Sequence, residues 1–278
     1  MENKYKIIPL GINYPYTIED LSVVIPHASW YKKRLSWFLE RYFKGTPAEV
    51  IRNTIIIYDP GDVWSLNEIQ KYDIKAIPNR DGNRDYSTLK MQVGFDEVKT
   101  RLCARLHNDG QIMRSDWADQ LIKQFNSTKV LQLIGTWHPS GDMGMADVDK
   151  FNEFFPWFAS IKDKLEPYTT DQGVKRIGTE YLHAFFMAGQ TYIFRDLYPQ
   201  VIKYNDEKMD KEDILFSQLV SSHNIQLTSW NNMYKFVNCV ADKSGDFEEG
   251  DNINKDMPVI ITSDNQKDYP EPEWKVVE

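Results

Sequence analysis

The sequence has little that would support a disulfide framework or a membrane anchor. Only two of its 278 residues are cysteine, too few for a disulfide scaffold or a cysteine-ligated metal site, and this usage fits a reducing compartment. No apolar run approaches the roughly 18 residues of a membrane span. The N-terminal stretch MENKYKIIPLG is too short and too interrupted for a signal peptide. We therefore expect a cytoplasmic protein without an integral membrane segment.

Basic charge is also scarce. The chain has 41 Asp and Glu against 33 Lys and Arg, a formal net charge of −8, so we expect no nucleic-acid partner held by a broad basic surface. The sequence contains no Walker A pattern, no G-x-G-x-x-G and no G-x-S-x-G, which disfavours an ATPase, a dinucleotide enzyme or a serine hydrolase. Its five histidines show no metal-ligand spacing.

Strand and helix signals alternate along the first half of the chain. Apolar runs that end in turn residues predict buried strands at 21–26, 53–58, 74–77, 102–106 and 130–135. Apolar residues at helical spacing predict helices at 31–44, at 87–98 and after an N-cap at Ser115. This alternation predicts an α/β fold whose mainly parallel sheet is flanked by helices.

The second half of the chain gives weaker signals. Its glycine and proline content predicts a loop at 136–145, and residues 167–178 are polar. The remaining predicted elements are a helix at 147–165, a helix at 210–222 with Asp210 as N-cap, and one or two strands within 225–240. We expect one domain over residues 1–240 and an acidic, partly disordered C-terminal extension over 241–278.

Acidic side chains follow two of the predicted strands and open one helix. Asp59 and Asp62 end the second strand, Asp109 follows the strand at 102–106, and Glu212 and Asp213 lie at the start of the last predicted helix. Turn formation and helix capping explain each of them structurally. Because open α/β sheets bind ligands outside the carboxyl ends of their strands, the same positions are candidate ligand contacts.

Five short motifs follow one another in a defined order along residues 21–229. They are SVVIP, IIIYD, HND followed by W-x-x-x-L, AFFMAGQTYIF and EDILFSQL. This order resembles that of the family 2 glycosyltransferases of the GT-A fold. The resemblance implies a GT-A (Rossmann-like) domain that transfers a sugar, with inversion, from a nucleotide-diphosphate sugar to a hydroxyl of a glycan or lipid-linked glycan.

The resemblance also implies which residues bind the donor. Pro26 and His27 would lie beside the nucleotide. Asp59 matches the acidic residue that usually contacts the base, and Asp62 is the alternative because the turn here reads Tyr-Asp-Pro-Gly-Asp. These positions follow the first and second predicted strands.

A metal ion and a catalytic base are implied in the same way. Asp109 would be the main ligand of Mn²⁺ or Mg²⁺ against the diphosphate, with Asn108 beside it and His107 as an extra contact. Asn108 stands where the family commonly has a second acid, so the expected metal affinity is lower. Asp213 would deprotonate the acceptor hydroxyl, with Glu212 as the alternative.

The acceptor side is expected to involve aromatic and imidazole groups. The segment from His183 resembles the family's strand and turn under the acceptor, which suggests His183 and Phe185 as contacts. Trp137 follows a predicted strand end in the glycine-rich loop, where an indole ring is placed to stack on a sugar. The loop at 136–145 is expected to close over donor or acceptor.

Two other functions remain open. A non-catalytic module of the same fold, binding a nucleotide sugar or a glycan without turnover, would fit the weakened metal motif at Asn108. A nucleotidyltransferase would share the sheet, but such an enzyme normally has an early glycine-rich, basic phosphate loop. The first turn here, His27-Ala28-Ser29, has neither property.

Overall fold

A computed structural model of the chain describes residues 15–29, 32–80, 87–108, 110–128, 131–144, 166–169, 175–204, 212–230 and 236–239. Asp109 and the whole of the expected extension at 241–278 lie outside these residues. The helix predicted at 147–165 also lies outside them, and so does Asp210, the predicted N-cap of the helix at 210–222.

The described elements alternate as the sequence predicts. The strands are β1 (Leu21–Pro26), β2 (Thr54–Tyr58), β3 (Lys75–Pro78), β4 (Leu102–Leu106), β5 (Gly110–Ile112), β6 (Gln132–Gly144), β7 (Glu166–Thr169), β8 (Lys175–Gln190), β9 (Gln226–Ser229) and β10 (Val237–Cys239). The helices are α1 (Lys32–Gly45), α2 (Ala48–Arg52), α3 (Val63–Gln70), α4 (Ser87–Glu97), α5 (Trp117–Ser127), α6 (Thr191–Tyr204) and α7 (Glu212–Ser222).

Eight of these strands form one sheet, in the order β3-β2-β1-β4-β8-β6-β9, with β7 paired to β8. The strands β1 to β4 that pair with one another are parallel, and so are β6 and β9. The long strand β8 runs antiparallel to both of its neighbours, β4 and β6. The predicted α/β fold with a mainly parallel, helix-flanked sheet is therefore confirmed.

The central strands are continuous apolar runs because the sheet is covered on both faces. One face packs against α1 and α5 through side chains that include Phe38 and Trp117. The other face packs against α4, α6 and α7, where Phe95, Phe194 and Phe216 meet in aromatic contacts. Strands that were exposed on one side would instead have alternated between apolar and polar residues.

The prediction of a loop at 136–145 is wrong for residues 136–144, because these residues continue β6. Their backbone pairs with β8, for example Met143 with Ile177, past irregularities between Gly135 and Trp137 and between His138 and Gly141. The hydrogen-bond ladder between strands is interrupted at such bulges, so a strand can contain proline and glycine there. A closing loop is therefore not available at these residues.

Several other boundaries also differ from the sequence prediction. Ser115 is not the N-cap of α5, which starts at Trp117, and Asp116 in the cap position binds Arg114 at 2.9 Å instead of capping the helix. The polar segment at 167–178 contains the end of β7 and the start of β8. Helices α2, α3 and α6 and strand β5 are additional elements. The strands β9 and β10 lie within 225–240, where one or two strands are predicted, and β10 pairs with β5.

Among the described helices, we find none that combines the length and the apolar character required to cross a lipid bilayer.

Close packing of α4 against β1 generates a stability prediction. A Cβ added at Gly94 would overlap Cγ1 of Val24, a branched side chain in the middle of β1. Overpacking of this kind costs about 1–3 kcal/mol, against a gain of about 1 kcal/mol for alanine over glycine in a helix. We expect Gly94→Ala to lower the denaturant midpoint of unfolding.

The matched control removes the obstructing methyl groups. In a Val24→Ala background the same Gly94→Ala change should raise the midpoint, because only the helix-propensity gain remains. Equal effects of Gly94→Ala in both backgrounds would contradict the packing described here.

Candidate functional site

The carboxyl ends of β1, β2 and β4 meet at one edge of the sheet, and polar turns follow each of them. His27 directly after β1 donates its backbone N–H to Ile57 O at 2.8 Å. His107 directly after β4 donates to Phe185 O of β8 at 2.9 Å. This is the edge at which open α/β sheets bind ligands.

A chain of hydrogen bonds joins the three turns. Asn108 Nδ2 donates to His27 Nδ1 at 3.0 Å, and His27 Nε2 lies 2.9 Å from Ser65 Oγ. The Ser65 hydroxyl in turn donates to Asp62 Oδ2 at 2.6 Å. Because Nδ1 accepts from Asn108, the neutral ring carries its proton on Nε2 and donates to Ser65. The turns after β1, β2 and β4 are thus fixed relative to one another.

His27 is held in the neutral form. Its side chain is almost fully buried, and this desolvation lowers the pKa of His27 to about 4, with a further contribution from the positive charge of Lys90. The carboxylates of Asp62 and Asp59 act in the opposite direction. The hydrogen bonds that run from Asn108 through His27 and Ser65 to Asp62 require this neutral form, in which one ring nitrogen accepts and the other donates.

A buried ion pair lies behind the same turns. Lys90 of α4 is 2% exposed, and its ammonium lies 2.6 Å from Asp59 Oδ1 and donates to His27 O at 2.9 Å. Asp59 Oδ2 accepts from the Ser29 backbone N–H at 2.8 Å. Both carboxylate oxygens of Asp59 are therefore engaged within the protein, where they hold the turn after β1 against the end of β2.

A second buried ion pair brings the start of α7 to this edge. Arg105 of β4 is 1% exposed and pairs with Glu212, which is itself buried at the first turn of α7. Arg105 Nε also donates to His107 Nε2 at 3.1 Å, and Nη1 lies 3.5 Å from the Tyr198 hydroxyl. The next residue, Asp213, is only partly buried, and its Oδ1 accepts from Ile214 N at 2.9 Å.

The structure brings most of the predicted site residues together and leaves their roles as predictions. Those gathered at this edge are Pro26, His27, Asp59, Asp62, Asn108, Glu212 and Asp213. Phe185 also lies here but is buried in the core. Trp137 and His183 belong to the parts of β6 and β8 that extend past this edge, and their side chains lie outside the described residues.

Sequence reasoning missed Lys90, Arg105 and Ser65. Each of the two cations stands within an apolar run, LKMQV and LCARL, and a charge at such a position signals a buried pair. Their carboxylate partners lie far away in the sequence, so the pattern alone does not identify them. Ser65 occupies the third residue of α3 and gives no signal beyond the capping interaction with Asp62.

Few side chains among the described residues at this edge remain available as ligands of a metal ion. Within the part of the chain that the structure describes, no group of three or more His, Cys, Asp or Glu is placed to hold one. Asp59 and Glu212 are paired with cations, and Arg105 donates to the His107 Nε2. Of the expected ligands, the Asn108 amide oxygen is of the kind that suits Mg²⁺-like ions, and Asp109 lies outside the described residues.

No protein-family model and no curated protein matches this sequence. Among solved structures, the chain is similar to core-mannan synthase A from Aspergillus fumigatus in its Mn/GDP form, with a TM-score of 0.51, 10% identity, and coverage of 84% of this chain and 77% of that chain. At this identity the similarity establishes the shared fold.

Two further solved structures match at lower TM-scores. One is 4-diphosphocytidyl-2C-methyl-D-erythritol synthase from Anaerococcus prevotii, with a TM-score of 0.44 and 14% identity over 75% of this chain and 85% of that chain. The other is CMP:2-keto-3-deoxy-manno-octonic acid synthetase complexed with CTP, with a TM-score of 0.41 and 12% identity over 76% of this chain and 88% of that chain.

The Lys90–Asp59 pair generates a stability prediction. Lys90→Met leaves the Asp59 carboxylate buried without its cation, and removal of one partner of a buried pair costs about 3–5 kcal/mol. We expect that loss in the free energy of unfolding measured with urea. The double variant Lys90→Met/Asp59→Asn should recover a large part of it, because no lone charge remains and the amide oxygen can still accept from the Ser29 N–H.

The matched control is the exposed pair of Lys75 with Glu97, whose charged atoms are 2.9 Å apart. Lys75→Met should cost less than about 1 kcal/mol, since solvent screens a surface pair. A Lys90→Met variant as stable as Lys75→Met would rule out the buried ion pair.

Buried neutral His27 generates a pH prediction. Its folded pKa of about 4 lies below the ordinary 6.5, so the unfolded chain takes up the proton first. The stability that the neutral ring contributes is complete above pH 6.5 and is lost as pH falls from 6.5 towards 4. At 1.36 kcal/mol per pKa unit, this amounts to about 3 kcal/mol.

Urea unfolding between pH 7 and 5 measures this effect in the wild type and in His27→Gln. The wild type should lose stability with falling pH more steeply than the variant, which has no ring to protonate. In the wild type, the His27 ring proton should not titrate by NMR above pH 5. A His27 that titrates near 6.5 contradicts the assignment.

Proposed function

We propose that this protein is a glycosyltransferase that moves a sugar from a nucleotide-diphosphate donor to a hydroxyl acceptor with inversion at the anomeric carbon. The observation that carries the proposal is the meeting of two elements at the carboxyl edge of a GT-A-like sheet. One is the His107-Asn108 turn after β4, and the other is the acidic first turn of α7, held there by Arg105.

The nucleotide is proposed to lie along the turns after β1 and β2. Pro26 and His27 border it, as the resemblance implies. Asp59 is proposed to act by fixing the Ser29 turn, because both of its oxygens are engaged by Lys90 and the Ser29 N–H. Asp62 is only partly buried, which supports it as the carboxylate that contacts the base or ribose directly.

Chemistry at the anomeric carbon requires a base opposite the leaving group. The acceptor oxygen forms a bond to the anomeric carbon, the bond from that carbon to the diphosphate oxygen breaks, and its electron pair leaves with the nucleoside diphosphate. The acceptor proton passes to a carboxylate. Asp213 is proposed as that base, since it is partly exposed while its neighbour Glu212 is buried against Arg105.

The leaving group concentrates negative charge on two phosphates. Asp109 and the Asn108 amide oxygen are the residues that would hold Mn²⁺ or Mg²⁺, and such an ion supplies positive charge at the departing diphosphate. Core-mannan synthase A, which shares the fold, is in an Mn/GDP form. Mn²⁺ with a GDP-sugar is therefore the first combination to test.

The acceptor is proposed to be a glycan or another hydroxyl compound that binds along the extension of β6 and β8. Trp137 pairs with Leu182 in this extension, next to His183. Phe185 is buried, so its proposed part is to support the strand beneath the acceptor rather than to stack on it.

A second candidate function is a nucleotide-sugar or glycan-binding module without turnover. The observation that favours it is Asn108, whose amide donates to His27 and supplies no charge to a metal. Both candidates predict that UDP or GDP binds. They differ in whether a base acts on an acceptor.

The distinguishing experiment measures hydrolysis and transfer with a panel of UDP- and GDP-sugars, with and without Mn²⁺. We expect Asp213→Asn to lower kcat by about 10²–10⁴-fold, the usual contribution of a general base, while the Kd of UDP or GDP stays unchanged. Asp109→Ala should weaken the Mn²⁺-dependent binding of the nucleotide.

The control is Asp196→Asn, which changes an exposed carboxylate on α6 and should leave kcat unaltered. Nucleotide binding without turnover for any sugar would establish the binding module. Full activity in Asp213→Asn would remove Asp213 as the base, and full activity in Asp109→Ala would remove the metal assignment.

A further inference from the structure

Arg105 carries a permanent charge in the interior of the sheet. It belongs to β4, between Ala104 and Leu106, and is 1% exposed. The fold does not require an ion pair there, because apolar residues of similar volume can replace a buried pair without loss of stability. An arginine at this position therefore calls for an explanation beyond packing.

The guanidinium group contacts two different elements through its two sides. On one side, Nε donates to His107 Nε2 at 3.1 Å, and Nη2 contacts the same nitrogen. On the other side, Nη1 pairs with Glu212 and lies near the Tyr198 hydroxyl. Because the group is planar and rigid, it fixes the positions of both partners relative to each other.

Each partner is adjacent in sequence to a residue with a proposed role. His107 precedes Asn108, which is hydrogen-bonded to His27 on the donor side of the site. Glu212 precedes Asp213, the proposed base at the acceptor side. Arg105 itself is buried beneath both, so it reaches the reactants only through these neighbours.

We propose that Arg105 is a positioning residue that holds the donor turn and the base-bearing end of α7 in a fixed relative geometry. This inference rests on the proposed function. It divides the acidic pair at the start of α7 into two roles. Glu212 anchors the helix through its ion pair, and Asp213 faces the acceptor.

Loss of the Arg105 contact to Glu212 and loss of its contact to His107 should affect different kinetic parameters. Glu212→Gln weakens the anchor of α7, and a displacement of about 1 Å is enough to cost about 10²-fold in rate. We expect kcat to fall by about 10- to 100-fold, with the Kd of GDP and UDP within about twofold of wild type. His107→Phe should instead raise the donor KM by about tenfold, as for the loss of one charge-assisted hydrogen bond, and leave kcat nearly unchanged.

The decisive variant is Arg105→Met/Glu212→Met, which removes both charges and leaves no lone ion in the core. Its free energy of unfolding should be close to that of the wild type. Its kcat should remain at least tenfold low and its donor KM raised, because the link between the two elements is gone. A purely structural role for the pair predicts that activity returns together with stability, and that result would overturn the inference.

Arg105→Lys covers the case in which the double variant does not fold. Lysine keeps a charge for Glu212 but lacks the fork that also reaches His107. We expect a kcat near wild type with a raised donor KM, and an equal loss in both parameters would overturn the inference. A wild-type protein that binds GDP or UDP but transfers no sugar overturns the proposed function and the inference with it, whereas active wild type with an active double variant overturns the inference alone.

Discussion

The hydrogen bond from Asn108 to His27 is the contact on which the geometry of this site depends. It joins the turn after β4 to the turn after β1, and His27 extends the link through Ser65 to Asp62 after β2. All of these groups need partners, because an unsatisfied polar group at a buried sheet edge costs about 1–3 kcal/mol. The site is therefore a single connected network rather than a set of independent loops.

Two buried ion pairs stabilise this network, both on the face of the sheet that packs against α4, α6 and α7. Lys90 holds Asp59 and the His27 carbonyl, and Arg105 holds Glu212 and His107. A buried pair adds little net stability compared with apolar packing, but it fixes geometry. In both cases a cation from a core element secures a turn that faces the proposed substrate. The two buried cations therefore fix the turns at this edge, while the carboxylates of Asp62 and Asp213 are only partly buried.

Much of the fold was predictable because β1, β2 and β4 are buried on both faces and read as continuous apolar runs. The turn residues that follow them account for most of the residues that the structure gathers at this edge of the sheet. The continuation of β6 through Pro139 and Gly141 was not predictable, since only its pairing with β8 offsets the local turn preference. Lys90 and Arg105 were missed for a related reason: burial of a charge depends on a partner that local sequence does not reveal.

The central claim is that a nucleoside diphosphate binds where these turns meet. A crystal structure with GDP or UDP and Mn²⁺ tests it most directly, because it locates the base, the diphosphate and the ion together. We expect the diphosphate beside the His107-Asn108 turn, with Asp213 across the position of the sugar. A nucleotide bound away from this edge, or an Asp213 side chain turned away from it, would contradict the account.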